Sequence, residues 1–262
     1  MSTVTPSAPP APSAPRGAPK PAAAEAPVVV EGGFVELAVP GFRPAVVFVP
    51  PGPATQVYPL AVATHGAGGM SEPHCQNWSL LLRSRAYVVC PRGTPYGLVA
   101  EGQAPTGYFY RDHRALGREV MAARAAAIAA FGARLDSKGA LYAGYSQGAT
   151  MGALFLHELA ETPERGAFAR LVLLDGGWLE WTRELSRKEH ESGLARVVLV
   201  CGQARCAREG KQRIGWMEQA GLPVRFEYAQ GAGHTWGGAV ADKLRGSLAW
   251  LFEDDPRFSG VD

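Results

Sequence analysis

The 262-residue chain has no apolar run approaching the roughly 18 residues that would span a bilayer. It has no surplus of either charge: Lys+Arg number 26 against 24 for Asp+Glu, and the arginines are scattered. A nucleic-acid surface needs a basic stripe, so the balance excludes that class of partner. Cysteines number only four, none at the paired spacings of a zinc site. No segment repeats. The first residues lack the basic and apolar regions of a signal peptide.

Pro, Ala and Ser dominate "MSTVTPSAPPAPSAPRGAPKPAAAEAP". Such a segment has too little apolar surface to fold, so residues 1–27 are expected to form a disordered tether ahead of one domain, 28–262. Tails of this kind often follow an export or lipid-anchor signal. With four cysteines this fits a cell-envelope or secreted protein. Arg exceeds Lys, and Ala, Gly and Pro are abundant, a composition typical of GC-rich bacterial genomes.

Beyond the tail, short apolar runs alternate with helical ones. "FVELAV" (34–39) and "AVVFVP" (45–50) read as an antiparallel pair. "YPLAVATHG", "AYVVCPRG", "GALYAGYS", "ARLVLLDGG", "ARVVLVCG" and "LPVRFEYAQG" read as further strands. Helices are expected at 115–135, after Ser146, at 180–190, at 207–220 and at the end of the chain. Continuous apolar strands alternating with helices predict an α/β fold, a mostly parallel sheet covered on both faces. Ligand sites of such sheets lie beyond the carboxyl ends of the strands. His65–Gly69, Ser146, Asp175, Cys201–Cys206 and His234 all fall there.

Gly144-Tyr145-Ser146-Gln147-Gly148 fits G-x-S-x-G between a strand and a helix. At such an elbow a strained backbone lifts the serine hydroxyl above the sheet, and flanking glycines make room for the close approach of strand and helix. "THGAGG" (64–69) ends the strand expected beside it, so the amides of Ala67 and Gln147 are candidate oxyanion donors. His65 reads as structural. "GAGHTW" (231–236) sets His234 in a loop between the last strand and the last helix, the position a mobile, solvated base requires.

With "HGAGG", "GYSQG" and "GAGH" in this order, the chain resembles the α/β-hydrolase superfamily from about residue 34 to 253. The elbow is similar to those of carboxylesterases, acyl-protein thioesterases and cutinases. The resemblance implies an eight-stranded sheet and a Ser–acid–His triad cleaving an ester or amide, with no metal or other cofactor and a small-molecule substrate. It also implies an acid after the strand "RVVLVC", where this chain has Gln203, Ala204, Arg205 and Cys206 instead. Some lipase-like members carry the acid one strand earlier, and there stands Asp175. Asp175 is therefore expected within about 2.6–3.2 Å of a His234 ring nitrogen. Glu180 and Glu209 are the alternatives.

A peptidase or thioesterase would use the same triad, and the missing acid leaves room for a non-catalytic binding protein. Cys75 with Cys90 and Cys201 with Cys206 are the expected disulfides; four reduced thiols are the alternative. Asp112 reads as a helix cap. Trp178, Trp181 and Trp236 either line an apolar pocket or pack the core. The segment "LEWTRELSRKEHESG" has too few apolar residues for a lipid-shielding lid, which points to short-chain substrates.

Overall fold

A computed structural model describes residues 29–97 and 102–261. The Pro/Ala-rich segment 1–27 lies outside the described residues. Eight strands form one sheet: β1 (Gly33–Leu37), β2 (Ala45–Val49), β3 (Tyr58–Thr64), β4 (Tyr87–Cys90), β5 (Leu135–Tyr145), β6 (Phe168–Leu174), β7 (Arg196–Cys201) and β8 (Val224–Tyr228). Their order is β8-β7-β6-β5-β3-β4-β2-β1. β2 pairs antiparallel with β1 and β4, and every other pairing is parallel. β3 and β4 are buried throughout, and β5, β6 and β7 are buried over most of their apolar stretches, because both faces are covered. Val197 and Leu199 enter one core layer while Val198 and Val200 enter the other, and Leu171/Leu173 and Val172/Leu174 divide in the same way. That period-2 division explains why the strands read as unbroken apolar runs.

The helices are α1 (Ser71–Leu81), α2 (His113–Phe131), α3 (Gln147–Leu159), α4 (Arg183–Glu191), α5 (Ala204–Gln219) and α6 (Gly238–Phe252). None among the described residues is long and apolar enough to cross a membrane. Asp112 accepts from Ala115 N at 2.7 Å and caps α2. α2 stops at Phe131 rather than 135 because Gly132 turns the chain at φ 52°. β5 then starts at Leu135, earlier than expected from Gly139: the polar stretch Asp136–Lys138 extends the strand beyond the core. α1 has no counterpart in the sequence reading. Its inner face is Ser71, His74, Cys75, Trp78 and Ser79, so the helical period is carried mostly by polar side chains.

Cys75 pairs with Cys90 and Cys201 with Cys206, at Cα separations of 5.8 and 6.4 Å. The first bridge ties α1 to the end of β4. The second closes a short loop at the end of β7.

Candidate active site

The parallel strands β3, β5, β6 and β7 end on one edge, and the polar residues gather there. β5 runs into Ser146, whose backbone sits at φ 52°, ψ −113°. That region is costly for any residue but glycine, and it persists only where neighbours over-determine it. They do so here. Ser146 N donates to Leu174 O of β6 at 2.8 Å, and Gly148 N to His65 O at 3.1 Å. A Cβ on Gly144 would lie 2.6 Å from the Ala149 backbone. One on Gly148 would lie 2.6 Å from Thr64 O and Oγ1. The two glycines of the pentapeptide thus let α3 rise directly from the strand. Gly148→Ala is expected to cost about 1–3 kcal/mol by overpacking. It should also push the His65–Gly69 loop away from Ser146, lowering both Tm and ester turnover. Thermal unfolding and a p-nitrophenyl ester assay check this.

The Gln147 amide is the first of α3 and has no intrahelical acceptor. Its side chain is used elsewhere, Oε1 accepting from Tyr110 N at 2.8 Å. In the neighbouring loop Gly68 N donates to Tyr108 O and Gly69 N to Gly66 O, both within 2.9 Å, while Ala67 N has no backbone acceptor among the described residues. Two uncommitted amides beside a helix N-terminus form an electropositive corner. His65 is structural: it is buried, Nδ1 meets Gly66 O at 2.8 Å, Nε2 meets Arg92 O at 3.1 Å, and Tyr110 stacks on the ring. Burial lowers its pKa.

His234 Nε2 stands 2.8 Å from Ser146 Oγ. Tyr145 stacks on the imidazole with centroids 5.5 Å apart, and Trp236 backs Tyr145. Burial, and then the negative charge of Asp175, raise the Tyr145 pKa, so its hydroxyl stays neutral.

The other ring nitrogen departs from expectation. His234 Nδ1 meets the side-chain amide of Gln203 at 2.8 Å, and no hydrogen bond or ion pair joins it to Asp175. Asp175 is 3% exposed and sits at φ 47°. One oxygen accepts from Gly202 N at 3.0 Å and the other from Thr235 N at 3.1 Å. Each carboxylate oxygen holds the backbone next to one of the paired side chains: Gly202 precedes Gln203, and Thr235 follows His234. Gly233 N donates to Gly202 O at 3.2 Å, so the two loops also hold each other. The expected 2.6–3.2 Å contact is not formed: each carboxylate oxygen accepts a backbone amide, and the Gln203 side chain stands at His234 Nδ1 instead. Glu209 is taken by Arg205 at 2.9 Å. Glu180 lines a hollow beside Ser146, and burial raises its pKa.

That hollow, about 290 Å³, is bounded by Ser146, Met151, Gly177, Trp178, Leu179 and Glu180. Of the three tryptophans considered, Trp178 lines it. Trp181 is fully buried against His157, and Trp236 packs on Trp78 and His74. The charged segment expected not to form a lid is α4, capped by Thr182 and packed on α5.

No family model matches the chain, and no curated protein does. Solved structures do. An esterase from Rhizomucor miehei aligns with a TM-score of 0.58 at 18% identity, over 90% of this chain and 86% of that one. A dienelactone hydrolase from Anabaena variabilis aligns at 0.55 and 14%, over 85% and 97%. Esterase PE8 aligns at 0.53 and 20%, over 83% and 100%. The chain has the α/β-hydrolase fold. Within that fold Ser146 occupies the elbow after β5 and His234 the loop after β8, and Gln203 stands after β7. The sequence reading noted Gln203 only as the place where a carboxylate was missing. Its signal was the position itself.

Proposed function

We propose that the protein is a serine hydrolase that cleaves an ester of a small to medium substrate through an acyl-enzyme on Ser146. The observation that carries this is the 2.8 Å contact of Ser146 Oγ with His234 Nε2, on a serine held at positive φ. In this reading His234 takes the hydroxyl proton as Ser146 Oγ attacks the carbonyl carbon, and the carbonyl electrons move onto oxygen. The amides of Ala67 and Gln147 stabilise that oxyanion, each worth about 3–4 kcal/mol. The tetrahedral intermediate then expels the alkoxide, which leaves as alcohol with the proton from His234. Water repeats the sequence: it attacks the acyl carbon as His234 takes its proton, the bond from that carbon to Ser146 Oγ breaks, and His234 returns the proton to Oγ as the acid leaves. Asp175 belongs to the reading as the residue that holds both supporting loops.

The hollow of about 290 Å³ suits a short acyl or aryl group, and the packing of α4 supports a substrate reached without a large lid. Acetyl and butyryl p-nitrophenyl esters should turn over faster than long-chain triglycerides, with no activation at an oil–water interface. Parallel assays on a p-nitroanilide and a thioester separate esterase from peptidase and thioesterase.

A second reading, a non-catalytic binding protein on the same fold, draws on the absence of a carboxylate at His234 Nδ1. A fluorophosphonate probe decides between them. Covalent labelling at Ser146 is the expected result, since only an activated serine reacts. A chain that stays unlabelled at Ser146 would overturn the hydrolase reading in favour of the second.

A further inference from the structure

Gln203 Nε2 stands 2.8 Å from His234 Nδ1, and a half-turn of the amide puts Oε1 in the same place, so the contact has two chemical directions. An amide presents a donor face and an acceptor face that exchange by a half-turn about the last side-chain torsion, in the same volume. With Nε2 toward the ring, the amide donates and Nδ1 must be bare. The imidazole proton then sits on Nε2, facing Ser146, and no lone pair remains to take the hydroxyl proton. With Oε1 toward the ring, the amide accepts from Nδ1–H. The Nε2 lone pair then faces Ser146, the tautomer a general base requires.

We infer that Gln203 is the positioning residue of the histidine, its side-chain oxygen accepting the Nδ1 proton, so that a neutral amide fills the place where a carboxylate is expected. The inference rests on the hydrolase reading above. Three observations carry it. The first is the proximity of the amide to Nδ1, taken with the 2.8 Å contact of His234 Nε2 to Ser146 Oγ: a base at the ring Nε2 requires the proton on Nδ1, and so the amide turned from its Nε2 to its Oε1. The second is that none of the three candidate carboxylates bonds to His234: Asp175 bonds to Gly202 and Thr235, Glu209 to Arg205, and Glu180 lines the hollow beside Ser146. The third is how firmly Gln203 is placed. Its neighbour Gly202 is held by Asp175, the Cys201–Cys206 bridge closes the loop around it, and its own carbonyl accepts from Ala207 N at 3.3 Å at the start of α5. The side chain does not cap α5, so that helix does not account for it.

A neutral acceptor fixes the tautomer but cannot stabilise the imidazolium that forms as the proton moves, as a carboxylate does. Gln203→Glu keeps the reach and can only accept. It should raise kcat at least about tenfold on p-nitrophenyl acetate and move the acidic limb of the kcat/KM profile up by roughly one pH unit. Gln203→Leu, of similar size, cannot accept. It should lower kcat at least about tenfold, with KM and Tm near those of the wild type.

Nitrogen NMR of the histidine-labelled wild-type protein gives a readout without substrate. The His234 resonances, assigned by their loss in His234→Ala, should show Nδ1 protonated and Nε2 bare. Proton on Nε2 would overturn the inference. So would a Gln203→Glu and a Gln203→Leu variant that both keep the wild-type rate and pH profile while fluorophosphonate still labels Ser146; the hydrolase reading would then stand alone. If neither the wild type nor Gln203→Glu is labelled, both readings fall together. If only Gln203→Glu is labelled, the native amide donates rather than accepts, and the inference is wrong.

Discussion

Ser146→Ala is expected to lower ester turnover by about 10³- to 10⁶-fold while the protein remains folded. The nucleophile is lost, and what survives is binding and whatever the Ala67 and Gln147 amides contribute. The stability side of this result is as informative as the rate. Ser146 sits at φ 52°, where alanine is no more comfortable than serine, so Tm should change little. Ser146→Gly relieves that strain and should raise stability by about 1 kcal/mol, with the same loss of turnover. A variant that gains stability as it loses activity marks strain kept for the sake of the hydroxyl. Turnover of p-nitrophenyl acetate and thermal unfolding of both variants check it. Near-normal turnover by Ser146→Ala would remove the assignment.

Much of this arrangement was legible before the fold was known. Strands that lie buried between two helical layers have no polar face, so Leu171–Leu174 and Val197–Val200 could be recognised as core strands of a parallel sheet. The elbow was legible because its geometry makes demands on residue type: Gly144 and Gly148 stand where a Cβ would strike Ala149 or Thr64. The cysteine pairs were legible because one member of each, Cys90 and Cys201, ends a strand and the other lies close to it in the chain.

What escaped has physical reasons too. Helix α1 buries serines, a histidine, a cysteine and one tryptophan, and a hydrophobic period cannot be read from such a face. Gln203 escaped because the expected chemistry calls for a carboxylate, and an amide at that position registers as a gap. The role of Asp175 escaped for a different reason. A carboxylate at a strand end can accept from a side chain or from backbone amides, and backbone amides leave no trace in residue type. Thr235 could be any residue but proline and still offer its N–H, and the glycine at 202 is required by the close approach of the Gly233 carbonyl rather than by the bond to Asp175.

Asp175→Asn therefore separates two kinds of acid. A carboxylate bonded directly to the imidazole would, on becoming an amide, cost as much as about 10⁴ in kcat with folding nearly unchanged. The carboxylate seen here bonds instead to Gly202 N and Thr235 N. Asparagine tolerates the φ of 47° as well as aspartate does, so the backbone is not at stake. Its side chain, however, has a single acceptor. The NH₂ that replaces the other oxygen must face a backbone N–H, leaving buried donors opposed, at a cost of about 1–3 kcal/mol. One of the two loops, carrying either Gln203 or His234, then loses its anchor. Displacement of a catalytic group by about 1 Å costs roughly 10² in rate. The expected result is thus a kcat lower by on the order of 10²-fold, together with a clear drop in Tm. Unchanged Tm with a rate loss near 10⁴ would return Asp175 to direct contact with the imidazole. Unchanged rate and unchanged Tm would show that neither loop depends on it.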